Sequence, residues 1–177
     1  MKNNEYVAIW QNYAIHDDDN VQGFFGDYSF LSNFHICEVW YDGNRYASAE
    51  NAYQAAKIVS GHRFEFTYCT PGESKRAWKK LAQTPSVLMD KTAEEWNFRK
   101  YDVMSAVVFD KFYRNLELRK LLLDTGDRYL EETNHWHDVT WGVDYKTRKG
   151  KNWLGLILAG IRTYWKNKQL RLKKESV

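Results

Sequence analysis

Glu50, Gln54 and Lys57, in the stretch SAENAYQAAK, recur at i, i+4 and i+7. If the stretch is helical, a carboxylate, an amide and an ammonium share one face. A carboxylate can accept a proton or balance a growing positive charge, and an amine attacks electrophilic carbon once it is neutral. Ala49, Ala52, Ala55 and Ala56 are small enough to let another element or a ligand approach. Two readings stay open from these residues alone. One is a salt-bridged surface stripe. The other is a helix packed on several sides, whose charges must act on each other or on a ligand to offset their desolvation.

A second group lies in HWHDVTWGVDYKTRKGKN, which reads as one long loop. It contains Asp138, Trp141 and Gly142, followed by Lys149, Gly150, Lys151 and Asn152. Loops of this length inside a compact domain are uncommon and often functional. Glycine and asparagine among cations suit phosphate contacts from backbone and side chain. His135, His137 and Asp138 invite a metal reading, but no third ligand of matching geometry is evident, and no metal is expected. The acidic run Asp17–Asp18–Asp19 reads as a solvated turn, and Cys37 and Cys69 have neither zinc-ribbon nor disulfide-framework spacing. No P-loop, HExxH, GxSxG or GxGxxG is present, so standard nucleotide, zinc-protease and serine-hydrolase readings lack support.

The elements that would position these groups follow from pattern and punctuation. GFFGDYSFLSNF reads as an extended segment bent at Gly26 and at Ser32–Asn33. Alternation around Asp42–Gly43 predicts a β-hairpin. Ser48 is a natural N-cap for a helix carrying Glu50, and Thr70 with Pro71 starts another. The longest amphipathic stretch, residues 92–115, places Trp96, Tyr101, Met104, Val108 and Phe112 near one stripe. LELRKLLLDTG is a short helix stopped by Gly126, RYLEET a strand, and WLGLILAGIRTYWKN a closing helix.

These elements give an α+β protein: a single, mainly helical domain with a small N-terminal β-hairpin. Residues 1–22 read as a lead-in, 23–166 as the domain and 167–177 as a basic tail. The 177 residues are 44% hydrophobic and 16% aromatic with two prolines, which describes an ordered chain able to bury one core. Eight tryptophans and twelve tyrosines serve that core and also suit stacking on flat ligands. A net charge of +3 does not by itself demand a polyanionic partner. With no signal-peptide pattern and no membrane-length apolar run, a cytoplasmic location and no membrane partner are expected.

FFGDYSFLSNF, YASAENAYQAAK, MSAVVFDKF, LLLDTGDRYLEET, DVTWG and GKNWLGLILAGIR, in that order, resemble the NADAR (YbiA-like) family over about residues 24 to 165. The resemblance implies an N-glycosidase without a cofactor. The substrate classes it implies are ADP-ribose on guanine of nucleic acid and phosphoribosylamino-pyrimidine intermediates of riboflavin synthesis. A module that binds ADP-ribose or NAD without turnover is the alternative, and pairing with an ADP-ribosylating toxin is left open. It implies Glu50, Lys57 and Asp138 as catalytic residues. By the same resemblance Asn33, Glu131, Trp141, Gly142 and Asn152 would contact substrate; Gln54 on the shared helix face and Lys149, Gly150 and Lys151 of the basic loop are expected contacts from the residues themselves. Val143 and Asp144 stand where many relatives carry a glycine, and His135 and Trp136 lengthen the spacing before DVTWG. Both departures fall in the loop expected to meet the substrate.

Overall fold

The computed structural model describes residues 13–58, 60–83 and 93–175. Residues 1–12 of the lead-in, Thr92 of the long helix and the tail residues Ser176 and Val177 therefore lie outside the described residues. The architecture is α+β, mostly helical with small sheets, as expected. The chain divides into two compact units, one over Asn33–Leu116 and one joining the segment up to Ser32 with the segment from Glu117 onward.

In the Asn33–Leu116 unit, β3 (Val39–Tyr41) and β4 (Asn44–Tyr46) form the expected antiparallel hairpin, with Val39 opposite Tyr46. Asp42 and Gly43 both take positive φ, the two-residue turn whose twist matches the strands. Arg63 clasps that turn by an ion pair to Asp42 and donates from Nε to the Ile58 carbonyl at 2.9 Å. α1 (Ala49–Ala55) is buried along its whole length. Ser48 caps it by accepting from the Asn51 N–H at 3.1 Å. Asn51 in turn donates to the Phe66 and Cys69 carbonyls. α2 (Pro71–Leu81) begins with a full capping box between Thr70 and Glu73. α3 (Ala93–Arg114) buries Val103, Met104, Val107, Val108, Lys111 and Phe112, whereas Tyr101 of the expected stripe is exposed. Both helices pack on α1.

In the other unit, β1 (Ile15–His16) and β2 (Asn20–Gln22) pair antiparallel, and β2 runs parallel to β5 (Tyr129–Glu131). The later part of the lead-in is thus woven into a sheet. GFFGDYSFLSNF is not extended as expected: Gly26–Leu31 forms a 3₁₀ helix with Phe30 and Leu31 buried. Gly26 at φ 54° supplies the entry turn, and Tyr28 is held by the Arg128 guanidinium at 2.5 Å. α4 (Leu116–Asp124) stops before Gly126, at φ 64°, as its sequence indicates. β6 (Thr133–Asn134) pairs in parallel with β7 (Val143–Asp144), so the expected structureless loop contains a strand. The loop is also laced by backbone bonds such as Asp144 N–H to the Lys149 carbonyl (2.9 Å) and Lys151 N–H to the Val139 carbonyl (2.9 Å). α5 runs over Trp153–Glu175, carrying the expected tail forward as helix.

Candidate functional site

In the Asn33–Leu116 unit, Glu50, Gln54 and Lys57 form a hydrogen-bonded line. Lys57 Nζ donates to Gln54 Oε1 at 2.7 Å, and Gln54 Nε2 donates to Glu50 Oε1 at 2.7 Å. The amide is oriented to suit both charges, its carbonyl toward the ammonium and its NH2 toward the carboxylate. Backbone geometry makes this reach possible. α1 ends at Ala55, Ala56 stays right-handed, and the Lys57 N–H bonds to the Gln54 carbonyl at 3.2 Å in a tightened last turn. Lys57 thus lies just past the helix and is joined to Glu50 through Gln54. Glu50 is 6% and Gln54 3% exposed, which excludes the surface-stripe reading.

Three aromatic rings enclose the amine. Nζ sits 4.7 Å from the Tyr53 ring centroid, 4.8 Å from Trp78 and 5.7 Å from Trp96. Burial lowers the Lys57 pKa from 10.5 to about 8, against the Glu50 charge, which raises it; Lys75 adds a further lowering repulsion. About a quarter of the amine is therefore neutral at pH 7.5, against about one part in a thousand for an ordinary lysine. Tyr53, one turn before Lys57, was legible by helical spacing. Trp78 and Trp96 arrive on α2 and α3, and nothing local to Lys57 indicates them.

Asn33 adjoins the same line. Its carbonyl accepts the Glu50 N–H at 3.0 Å, and its Nδ2 lies 3.2 Å from Met104 Sδ. Its side chain is 7% exposed, yet Oδ1 has no hydrogen-bond partner among the described residues. A buried acceptor left open costs about 1–3 kcal/mol, which a ligand N–H or O–H would relieve.

The remaining expected residues lie in the other unit. Glu131 is buried, and its Oε1 accepts from Thr133 Oγ1 at 2.6 Å and from Arg148 at 2.9 Å. Arg148 also reaches Oε2 at 3.1 Å, a contact the sequence did not indicate. Asp138 Oδ1 accepts the N–H groups of Thr140 and Trp141, both at 2.9 Å, and so shapes the turn that presents Trp141. Asn134 braces the same turn, donating to the Asp138 carbonyl at 2.7 Å and accepting its N–H at 2.9 Å. Trp141 is half-buried and meets Trp153 edge-on at 5.6 Å.

Gly142 and Gly150 are sites of close backbone approach. A Cβ on Gly142 would strike the Glu132 carbonyl, and one on Gly150 the Gly142 carbonyl. Asn152 staples the loop to β5, donating to the Leu130 carbonyl at 2.8 Å and accepting the Glu132 N–H at 3.1 Å. Lys149 and Lys151 are exposed, with Lys151 Nζ 4.7 Å from the Trp153 ring centroid. His137 Nδ1 contacts Asp144 at 2.5 Å, while Asp138 is engaged in its own turn. Backbone and side-chain bonds from Thr147, aided by His137, hold the Asp144 carboxyl down at about 2. Among the described residues, no cluster of three or more His, Cys, Asp or Glu could hold a metal ion, and no helix is long and apolar enough to cross a membrane.

A model of the NADAR domain matches residues 19–165. N-glycosidase YbiA of Shigella flexneri is 32% identical over 137 residues, covering 77% of this chain and 81% of that protein. An N-glycosidase of Nostoc punctiforme is 28% identical over 145 residues, covering 79% and 87%. A riboflavin biosynthesis protein of Vibrio vulnificus is 30% identical over 136 residues, covering 77% of this chain but only 35% of the Vibrio protein. The NMR structure of the E. coli protein YbiA superposes with a TM-score of 0.71 at 28% identity, covering 91% of this chain and 93% of that one.

Proposed function

The chain belongs to the NADAR family of N-glycosidases, and we propose that the bond it hydrolyses joins ADP-ribose to guanine in nucleic acid. The observation that carries the chemistry is the line from Glu50 through Gln54 to a Lys57 amine whose pKa burial lowers to about 8. The neutral amine attacks the anomeric carbon. The carbon–nitrogen bond to guanine breaks, its electron pair stays on the base, and the proton shed by the amine goes to that nitrogen. The sugar ring then opens to an imine on Nζ. On ring opening the remaining amine proton passes to the ring oxygen. Water then adds to the imine carbon, and Glu50 carries its first proton to Nζ to give the carbinolamine. The carbinolamine hydroxyl gives the second to Nζ, again through Glu50, as the carbon–nitrogen bond breaks and the free sugar leaves with its carbonyl.

In this reading Gln54 holds the amine toward the sugar, and Asn33 Oδ1 accepts a substrate hydroxyl or N–H. Trp141 stacks on a base, with its turn fixed by Asp138. In the other unit, Lys149 and Lys151 are exposed cations available to a phosphate.

The Vibrio relative's name favours a second substrate, a phosphoribosylamino-pyrimidine intermediate of riboflavin synthesis. It contains the same kind of bond and calls on the same groups. Incubating the protein with ADP-ribosylated guanosine, ADP-ribosylated DNA and the pyrimidine intermediate, with products followed by mass, separates the two. Release of free ADP-ribose, lost in Glu50→Gln, is the expected result. Turnover of the pyrimidine alone would replace the proposed substrate. Binding of ADP-ribose with no turnover of any substrate would make the protein a binding module.

A further inference from the structure

The last part of α5 lies beyond the residues matched by the NADAR model. Residues 166–175 are all exposed and helical, a rod about 15 Å long by helix rise. It bears Lys166, Lys168, Arg171, Lys173 and Lys174 against the single carboxylate of Glu175. Leu170 and Leu172, two residues apart, point to opposite sides, so the rod has no apolar stripe. A helix that lies in a membrane surface, or packs on a partner helix, needs such a stripe. Cations spread around a bare helix instead suit a polyanion that makes phosphate contacts from several directions.

The base of the rod is anchored and itself cationic. Lys166 pairs with Asp127 at 2.8 Å, and the Trp165 ring is flanked by Arg119 at 3.7 Å and Lys168 at 5.0 Å. Arg162 is fixed by Thr125 Oγ1 at 2.8 Å. Farther out, Arg171, Lys173 and Lys174 have no ion-pair partner among the described residues.

We propose that this helical extension is a docking surface for the phosphate backbone of a polynucleotide, a handle that holds the polymer independently of the glycosidase chemistry. It deepens the nucleic-acid reading, on which it rests for the identity of the polymer. The test measures binding of an unmodified fluorescent DNA duplex by anisotropy across a salt series. The full chain is compared with the triple variant Arg171→Gln, Lys173→Gln, Lys174→Gln, since glutamine keeps helix propensity. Loss of three phosphate contacts lowers the slope of log K against log salt by about 2.7. Between 50 and 200 mM salt the parent's affinity should then fall about fortyfold more than the variant's. Equal slopes for the two proteins, no binding of duplex by the parent, or preferential binding to phosphatidylserine vesicles through these three residues would each overturn the proposal. Turnover of ADP-ribosylated guanosine, a substrate without a polymer, should be unchanged in the variant. That arm tests the substrate reading separately, because its failure in the parent condemns the chemistry and leaves the binding result standing.

Discussion

Lys57→Met should remove a pH dependence of stability that the parent shows between about pH 8 and 10.5. The amine has a pKa of about 8 in the folded chain and 10.5 as its ordinary value. Between these values the unfolded chain binds more protons than the folded one, so parent stability rises with pH across the window. Below pH 8 the full cost of burying the ammonium is present. Above 10.5 it is gone. At 1.36 kcal/mol per pKa unit the window is worth about 3 kcal/mol. The Tyr53, Trp78 and Trp96 rings attract the ammonium and so oppose the burial effect without reversing it. Urea unfolding of both proteins from pH 7 to 10.5, taken as a difference, cancels the tyrosines and other lysines common to both. The parent's kcat/KM should rise about tenfold per pH unit up to about pH 8 and then level, because the neutral amine is the reacting form. A stability difference that stays flat across the window, or an activity limb near pH 10.5, would refute the account of an amine poised by burial.

Borohydride added during turnover should reduce the imine to a stable adduct bearing the sugar's mass on the peptide containing Lys57. Lys57→Arg should give no adduct and no activity, since a guanidinium keeps the charge but stays protonated; a trapped adduct on another lysine with Lys57→Arg active would remove Lys57 from the chemistry. Trp141→Ala should weaken binding of the base-bearing substrate by roughly 1–3 kcal/mol, the usual value of a stacking surface, with a smaller loss in Tm. A large fall in Tm with unchanged KM would instead place Trp141 in the packing with Trp153.

What could be read ahead of the structure follows from how local each signal is. Ser48 before the alanine-rich turns, Thr70–Pro71, and Asp42–Gly43 each encode a cap or turn within four residues, and each appears where expected. The face shared by Glu50, Gln54 and Lys57 was visible in the same way, because helical spacing is local. GFFGDYSFLSNF misled because its aromatics suit either an extended strand or a tight helix, and Phe30 and Leu31 choose by burial in a core assembled from distant residues. The long loop concealed β7 because parallel pairing of Val143–Asp144 with Thr133–Asn134 is a non-local choice. The backbone approaches that require Gly142 and Gly150 depend on that same pairing. The property on which the mechanism turns was the least legible. Spacing can place an amine beside an amide and a carboxylate, but its protonation depends on how much water is removed. Here Trp78 and Trp96, which α2 and α3 deliver from elsewhere in the unit, are among the groups that close around the amine. A lysine on the same helix face left open to water would keep its ordinary charge, and the identical motif would hold a counter-ion rather than a nucleophile.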